Sequence, residues 1–276
     1  MGNTETGATQ KNKRMTILVF HQYFSTNKGS YGTRLYEFAR HWVAQGNRVI
    51  VVTSVYYKSD LKAGNLGKRI IVDGIDVIVL NVPISNKDNF IKRIYYFLLY
   101  SLQSSWYALR LNYDVVVASS GPISTGIPGL VAAIFKRKPL VFEVRDLWPG
   151  VVEEIGVIKN NFVLKLAYFF EGVVYRKSKK IVALSKGMEE NIKKRFPNQA
   201  IVTVTNSANL DLFVPSGSFN QEDTFAIYTG NIGEVNNSSL LLDAAKILLE
   251  KGRGDIKIKM YGDGQLYLEL LGRVKM

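Results

Sequence analysis

Residues 16–54 read TILVFHQYFSTNKGSYGTRLYEFARHWVAQGNRVIVVTS. Thr16–Phe20 is a short apolar run, long enough for one buried strand and too short for a helix. A glycine-containing loop follows, then an amphipathic helical pattern from about Thr33 to Gln45. Gly46-Asn47 marks the next turn, and Arg48–Ser54 is a second buried strand. A strand, a loop, a helix and a strand within 39 residues make a βαβ unit, which specifies a parallel pair.

The same alternation continues outward. Lys68–Val72 and Ile75–Val79, joined by Asp73-Gly74, predict a hairpin. An aromatic helix follows, with its charge-free core from Ile94 to Leu109. Then come the strand Asp114–Ser119, a helix over about 123–135, the strand Pro139–Val144 and a helix over about 161–175. The strand Lys180–Leu184, the helix Lys186–Arg195 and the strand Ile201–Val204 close this part. The expected fold is α/β, a mostly parallel sheet covered on both faces. Residues 1–14 are polar and read as a disordered leader, 15–205 as a Rossmann-like N-terminal domain, and 206–223, with Pro215, Ser216 and Gly217, as a linker. From 224 the pattern restarts with Thr224–Thr229, a helix over about 238–251, Ile256–Tyr261 and a last helical stretch. Residues 224–276 are therefore expected to be part of a second Rossmann-like domain, short of the ~100 residues such a unit needs.

Composition removes several classes of function. The chain has 276 residues, no cysteine and two histidines, His21 and His41. A disulfide scaffold, a thiolate zinc site, a cysteine nucleophile and a multi-histidine metal site are all excluded. With 36 Lys+Arg against 23 Asp+Glu the net charge is +13. Residues 224–276 hold seven basic and six acidic side chains, a net of +1, so 1–223 carry +13 − 1 = +12. That excess suits polyanions or an anionic membrane surface. No nucleic-acid-binding module accompanies it, so nucleic acid is not an expected partner. The Ile94–Leu109 stretch is too short to span a bilayer, and its aromatic residues beside Lys92 and Arg93 suit either a headgroup-level helix or an ordinary half-buried one.

Three places carry chemistry. The first is the loop after the first strand, with His21, Gly29, Gly32 and Arg34. Glycines there let backbone approach a ligand, and a helix N-terminus favours phosphate. It is not a GxGxxG loop, and no GxxxxGK[ST] occurs, which argues against a dinucleotide dehydrogenase and a P-loop NTPase. The second is Glu143-Val144-Arg145-Asp146-Leu147-Trp148-Pro149 at the end of a strand, where ligands of open α/β sheets collect. Arg145 and Asp146 are expected to form a charge pair that holds the aspartate ionised, and Trp148 offers an apolar face to a sugar ring. The third is Gly230-Asn231-Ile232-Gly233 with Gly262-Asp263-Gly264, a second phosphate-cradle pattern.

The runs HQYFSTNKGSYGTRLYEFARHWVAQGNRVIVVTS, FEVRDLWP, YRKSKKIVALSKGM, LDLFVP and YTGNIG…LLDAAKIL…YGDG together resemble the family 4-type glycosyltransferases of GT-B fold. They are most similar to the bacterial subgroup that builds O-antigen, capsule and colanic-acid-type polysaccharides. The resemblance implies two Rossmann-like domains across a cleft, the first for the acceptor and the second for the nucleotide-sugar donor, usually a UDP-sugar. It implies a polyprenyl-diphosphate-linked glycan acceptor at the inner membrane face, hence a cytoplasmic, peripherally membrane-bound enzyme. Retention of anomeric configuration is implied, with no metal or other cofactor. Residue by residue, it casts Asp146, Arg145 and Glu143 as catalytic. It casts Gly29, Gly32, Arg34, His21 and Trp148 as substrate-binding, and Gly230, Asn231, Gly233, Gly262, Asp263 and Gly264 as donor-binding. The chain departs from the family pattern at Thr205–Asn209, normally Pro-Asn-Gly-Val-Asp. It departs again at Glu234, Asn236 and Asn237, where relatives carry Arg and Lys, and it lacks the Glu-x₇-Glu donor motif. The leading reading is thus a glycosyltransferase incomplete as given, whose 276 residues are expected to show negligible transfer unless the rest of the donor domain is supplied; the alternative is an inactive acceptor-domain remnant that binds membrane or lipid-linked glycan.

Overall fold

The structure is a computed structural model that describes residues 14–30, 32–65, 67–85, 88–154, 156, 160–211, 213–214 and 225–274. Nearly all of the expected leader, Leu212, most of the linker and Thr224 lie outside the described residues. The chain divides into two compact units, 1–207 and 208–276.

In the first unit an eight-stranded sheet has the order β3-β4-β2-β1-β5-β6-β7-β8. The strands are β1 (Thr16–Phe20), β2 (Arg48–Tyr56), β3 (Lys68–Val72), β4 (Ile75–Ile84), β5 (Val115–Ser119), β6 (Leu140–Val144), β7 (Lys180–Ala183) and β8 (Ile201–Thr203). Each neighbouring pair is parallel except β3 with β4, the expected hairpin. Its turn residues Asp73 and Gly74 have φ of 47° and 77°. Such a two-residue turn needs left-handed backbone at both positions, which matches the right-handed twist of the strands.

The helices are α1 (Arg34–Ala44), α2 (Phe90–Arg110), α3 (Gly126–Phe135), α4 (Gly150–Glu154), α5 (Asn161–Lys177) and α6 (Lys186–Arg195). One sheet face packs Ile17, Val19, Val49, Val51 and Val77 against Leu35, Tyr36 and Ala39 of α1. The other face packs Leu18, Phe20, Val52, Val116 and Phe142 against Tyr100, Ala132, Val174 and Ile192 of α2, α3, α5 and α6. Alternating strand residues therefore point into two separate cores, as expected of a sheet covered on both sides.

Most element ends lie within two residues of the sequence pattern, β2 for example reaching Tyr56 beyond the expected Ser54, and three places differ more. β4 runs on to Ile84, because Leu80, Val82 and Ile84 continue the buried alternation beyond Val79. α2 begins at Phe90, where the Asn89 side chain accepts from Lys92 N as an N-cap. The short α4, directly after Pro149, has no periodic signal of its own.

The second unit contains β9 (Phe225–Thr229) parallel to β10 (Lys257–Tyr261), with α7 (Ser239–Glu250) and α8 (Tyr267–Val274). Leu270 is buried in it, whereas Ile227, Leu249 and Leu268 are exposed.

Candidate functional site

β1 and β5 lie side by side at the centre of the sheet, yet the chain leaves β1 toward β2 and returns through α2 to β5 on the opposite flank. This reversal of strand order opens a crevice at the carboxyl ends of β1, β5 and β6. The loops that meet there carry His21, Ser119-Ser120-Gly121 and Arg145-Asp146.

His21 is buried, and its Nε2 lies 3.3 Å from Nη1 of Arg145. A guanidinium only donates, so Nε2 accepts and the imidazole proton sits on Nδ1. Burial lowers the His21 pKa well below the usual histidine range, and Arg145 lowers it further, against the opposing Ser119 backbone. The ring is neutral at pH 7. Among the described residues Nδ1 has no hydrogen-bond partner of normal geometry, the Ser119 backbone being only near it, and Oε1 of the adjacent Gln22 has none either. The Arg145 backbone is fixed separately, its N–H donating to Ser120 Oγ at 2.9 Å.

The glycines of the first loop serve two different purposes. A Cβ on Gly29 would sit 2.0 Å from Ser25 Oγ and 3.0 Å from Lys58 O. Gly29 is thus required by protein packed against it. Asp60 organises that packing by accepting from Thr26 N at 3.0 Å and Thr26 Oγ1 at 2.7 Å. Burial would raise the Asp60 carboxyl, but these hydrogen bonds outweigh it and hold it below the usual range. At Gly32 the nearest atom to a Cβ would be Arg145 Nη2, at 3.8 Å. That is ordinary contact distance, and among the described residues beyond its chain neighbours nothing lies closer.

Arg34 and Glu143 meet, but in a closed arrangement. Arg34 Nε donates to Glu143 Oε1 at 2.8 Å, with the side chains only 8% and 3% exposed. The remaining Arg34 donors reach Val204 O and Thr205 O, each at 2.7 Å, and Asn206 Oδ1 at 3.3 Å. Ser119 Oγ donates to the other Glu143 oxygen at 2.6 Å. This network clamps α1, β5, β6 and the segment after β8.

The expected Arg145–Asp146 charge pair does not form: among the described residues no ion pair joins them, and Arg145 turns to His21 instead. Asp146 keeps a solvent-exposed surface. The protein around it nevertheless raises its carboxyl above the ordinary aspartate range, and Arg145 only partly offsets this. Trp148 is half-buried, its N–H donating to Asp146 O at 2.9 Å, and the Trp148–Pro149 peptide is cis.

In the second unit the two glycine loops are laced to each other. Gly230 N donates to Tyr261 O at 3.0 Å, Ile232 N to Asp263 O at 3.1 Å and Leu266 N to Ile232 O at 3.1 Å. A Cβ on Gly262 would lie 1.8 Å from Gly230 O, and one on Gly264 2.2 Å from Ile232 O. Asn231 O accepts from Tyr228 OH at 2.7 Å, and Gly233 O from Ser238 Oγ at 3.2 Å. Gly230, Asn231, Gly233, Gly262, Asp263 and Gly264 are thereby brought together.

Ser119 and Ser120 belong to the site although no motif in the sequence marks them. A weaker signal is present: Ser-Ser-Gly ends the apolar run Val115–Ala118, where small polar residues let neighbouring loops approach. Among the described residues no three of His, Cys, Asp and Glu gather as metal ligands, and no helix is long and apolar enough to cross a membrane.

Comparison with solved structures defines the class. Sucrose-phosphate synthase from Thermosynechococcus elongatus matches with a TM-score of 0.59 at 12% identity, covering 91% of this chain and 71% of that one. Trehalose-6-phosphate synthase OtsA gives 0.64 at 9% identity, covering 95% and 69%. Anabaena HepE, solved in complex with UDP and glucose, gives 0.57 at 14% identity, covering 94% and 65%. The architecture is that of the GT-B glycosyltransferases. A family model described as Glycosyltransferase Family 4 matches residues 31–212, and the chain belongs to that family. No curated protein sequence matches it.

Proposed function

We propose that the chain transfers a sugar, with retention of configuration, from a UDP-sugar to a polyprenyl-diphosphate-linked glycan, using no metal or other cofactor. The setting we propose is surface-polysaccharide assembly of the O-antigen or capsule type at the cytoplasmic face of the inner membrane. The observation that carries the reading is Arg145, fixed at the strand-order crevice beside a neutral histidine and within 3.8 Å of the Gly32 Cβ position. A guanidinium in such a place binds phosphate oxygens and stabilises negative charge as a diphosphate departs. His21 supports it by accepting a hydrogen bond without adding a competing positive charge.

Asp146 is the carboxylate proposed to contact the acceptor hydroxyl, since its raised pKa moves it toward general-base strength while its surface stays accessible. Trp148, half-buried two residues from Asp146, is proposed to carry the sugar ring. Donor binding is assigned to the Gly230–Gly233 and Gly262–Gly264 loops. HepE was solved with UDP and glucose, which supports a nucleotide-sugar donor.

The test is transfer of radiolabel from a panel of UDP-sugars to lipid extracts of bacterial membranes, with the anomeric configuration of the product read by NMR. A labelled lipid product of retained configuration supports the reading. Binding of lipid-linked glycan without label transfer supports the acceptor-binding remnant instead.

A further inference from the structure

We infer that α2 and α5 form a docking surface for an anionic lipid bilayer. On α2 the exposed side chains include Ile91, Tyr95, Leu98, Leu102, Trp106 and Leu109. At 3.6 residues per turn these fall within about 80° of the helix circumference. The opposite side, with Tyr100, Ser104 and Ala108, is the one that packs on the sheet. On α5, Phe162, Leu166 and Phe169 repeat the pattern, with Leu102 69% and Phe162 76% exposed. Val174 and Tyr175 hold the inner side of α5.

Between them α3 lies close to α5 and to the sheet, because Gly126 leaves no room for a side chain against Val174 of α5 and Gly129 none against Leu140 of β6. Its last residues, Ile134 and Phe135, are exposed as well. Lys136 Nζ donates to Leu109 O at 3.1 Å, which joins the ends of α2 and α3.

Charge selects the occupant. α2 and α3 contain no carboxylate, and the Glu171 of α5 is buried and paired with Arg195. Asp88, just before α2, is neutralised by Lys92 at 2.7 Å. The cations around this surface are Arg110, Lys136-Arg137-Lys138 and Lys165. Arg110 lies 5.4 Å from the Trp106 ring centroid, an aromatic–cation pair of the kind that sits at headgroup depth. Glu153 of α4 is the exposed carboxylate that reaches α5, accepting from Tyr168 OH at 2.6 Å, so a second copy of the chain would set several cations against few acids. An anionic monolayer offers apolar volume to the stripe and phosphate to the cations. α2 and α5 also follow β4 and β6, so their first residues lie at the sheet edge that carries Arg145 and Asp146. The link from docking to a lipid-linked acceptor rests on the proposed function; the docking itself does not.

The test is flotation of the full chain with phosphatidylcholine vesicles, with and without phosphatidylglycerol, at low and high salt. Binding should require the anionic lipid and fall with salt. Arg110→Glu with Arg137→Glu and Lys165→Glu should weaken it at least ~100-fold, at a factor of about five per cation removed. Leu98→Ser with Leu102→Ser, or Phe162→Ser with Leu166→Ser, should weaken it at least tenfold, with unchanged circular dichroism. In a Trp42→Phe, Trp148→Phe background, Trp106 emission should shift to the blue on binding and be quenched by brominated lipid, a readout that needs no surface variant. Equal binding to neutral and anionic vesicles, full binding by the α2 or α5 variants, or an unquenched Trp106 overturns the inference. So does a salt-resistant dimer abolished by the same variants. Transfer to a water-soluble acceptor analogue is measured in parallel, so loss of docking with transfer intact leaves the enzymatic reading standing.

Discussion

Replacing Arg34 with Met separates a structural clamp from a ligand site. The Arg34–Glu143 contact is 2.8 Å long with both side chains under 10% exposed. At an effective dielectric of ~20 the attraction across that distance is about 6 kcal/mol. Desolvating two charges cancels most of it, so the intact pair adds little net stability, but removing one partner strands the other. Arg34→Met leaves the Glu143 carboxylate buried with only Ser119 Oγ, at 2.6 Å, as donor. It also strips donors from Val204 O and Thr205 O. Stranding a buried charge costs about 3–5 kcal/mol. For a unit of this size each kcal/mol shifts the melting midpoint by ~2–4 °C, so a fall of roughly 6–20 °C is expected. Urea and thermal unfolding followed by circular dichroism measure it. The Arg34→Met, Glu143→Met double variant should recover most of the loss, because a matched apolar pair leaves no charge unpaired. A single variant within about 1 kcal/mol of the parent, or a double variant no better than the single, refutes the clamp. The transfer rate then tests the chemistry: near-parental turnover in the folded double variant excludes Glu143 from the reaction, whereas a ~100-fold loss with recovered stability assigns it a part.

Arg145→Ala and Asp146→Ala should each lower the transfer rate by about 100-fold or more with little change in melting, as for a lost electrostatic or acid–base group; parental turnover in Asp146→Ala removes its role. The depressed His21 pKa makes stability pH-dependent with a definite sign. The unfolded imidazole takes up its proton near pH ~6.5 and the folded one only lower, so the contribution is full above ~6.5 and is lost as pH falls below it. The melting midpoint should decline below pH ~6.5 more steeply in the parent than in His21→Gln, and identical profiles would contradict the neutral buried ring. Gly264→Ala drives a Cβ to 2.2 Å from Ile232 O, and overpacking of that kind costs about 1–3 kcal/mol or more. Limited proteolysis should then cut the second unit sooner while the first melts as before.

Most of the fold is legible in the sequence because its determinants are local and periodic. TILVF, RVIVVTS and the Thr33–Gln45 helix pattern each declare their element within a few residues, and Asp73-Gly74 names its own turn. The boundaries that differ do so for tertiary or capping reasons. β4 extends because α2 packs over Leu80 and Val82, and α2 starts early because Asn89 caps it. The strand-end motif is legible as a place but not as a wiring diagram. Adjacent opposite charges at 145 and 146 suggest a pair, yet successive residues leaving a strand diverge, and Arg145 finds its partner 124 positions away at His21. Glu143, one strand residue earlier, finds Arg34 across 109 positions. Register between distant segments decides such contacts, and a single sequence does not display it.

Glycine shows the same limit at the level of one residue type. Gly29 and Gly32 stand three positions apart in one loop and read alike as a ligand cradle, since either allows close backbone approach. What approaches is different. At Gly29 it is Ser25, Lys58 and Asp60 of the protein itself, at 2.0–3.1 Å, and at Gly32 it is the Arg145 guanidinium at an ordinary 3.8 Å. Gly262 and Gly264 go with Gly29, since Gly230 O and Ile232 O fill the volume a side chain would take. Their loops can still present N–H groups to a diphosphate, but no such ligand is needed to explain these glycines. Among the glycines read as cradles, Gly32 is therefore the one whose substitution should report on ligand more than on folding. Gly32→Ala should leave the melting midpoint within a degree or so, because among the described residues beyond its chain neighbours a methyl there meets nothing closer than 3.8 Å. It should raise the donor KM while leaving the acceptor KM unchanged, if the space beside Arg145 is where the departing diphosphate rests. An unfolded Gly32→Ala chain, or one with parental kinetics, would move the site elsewhere along the strand ends.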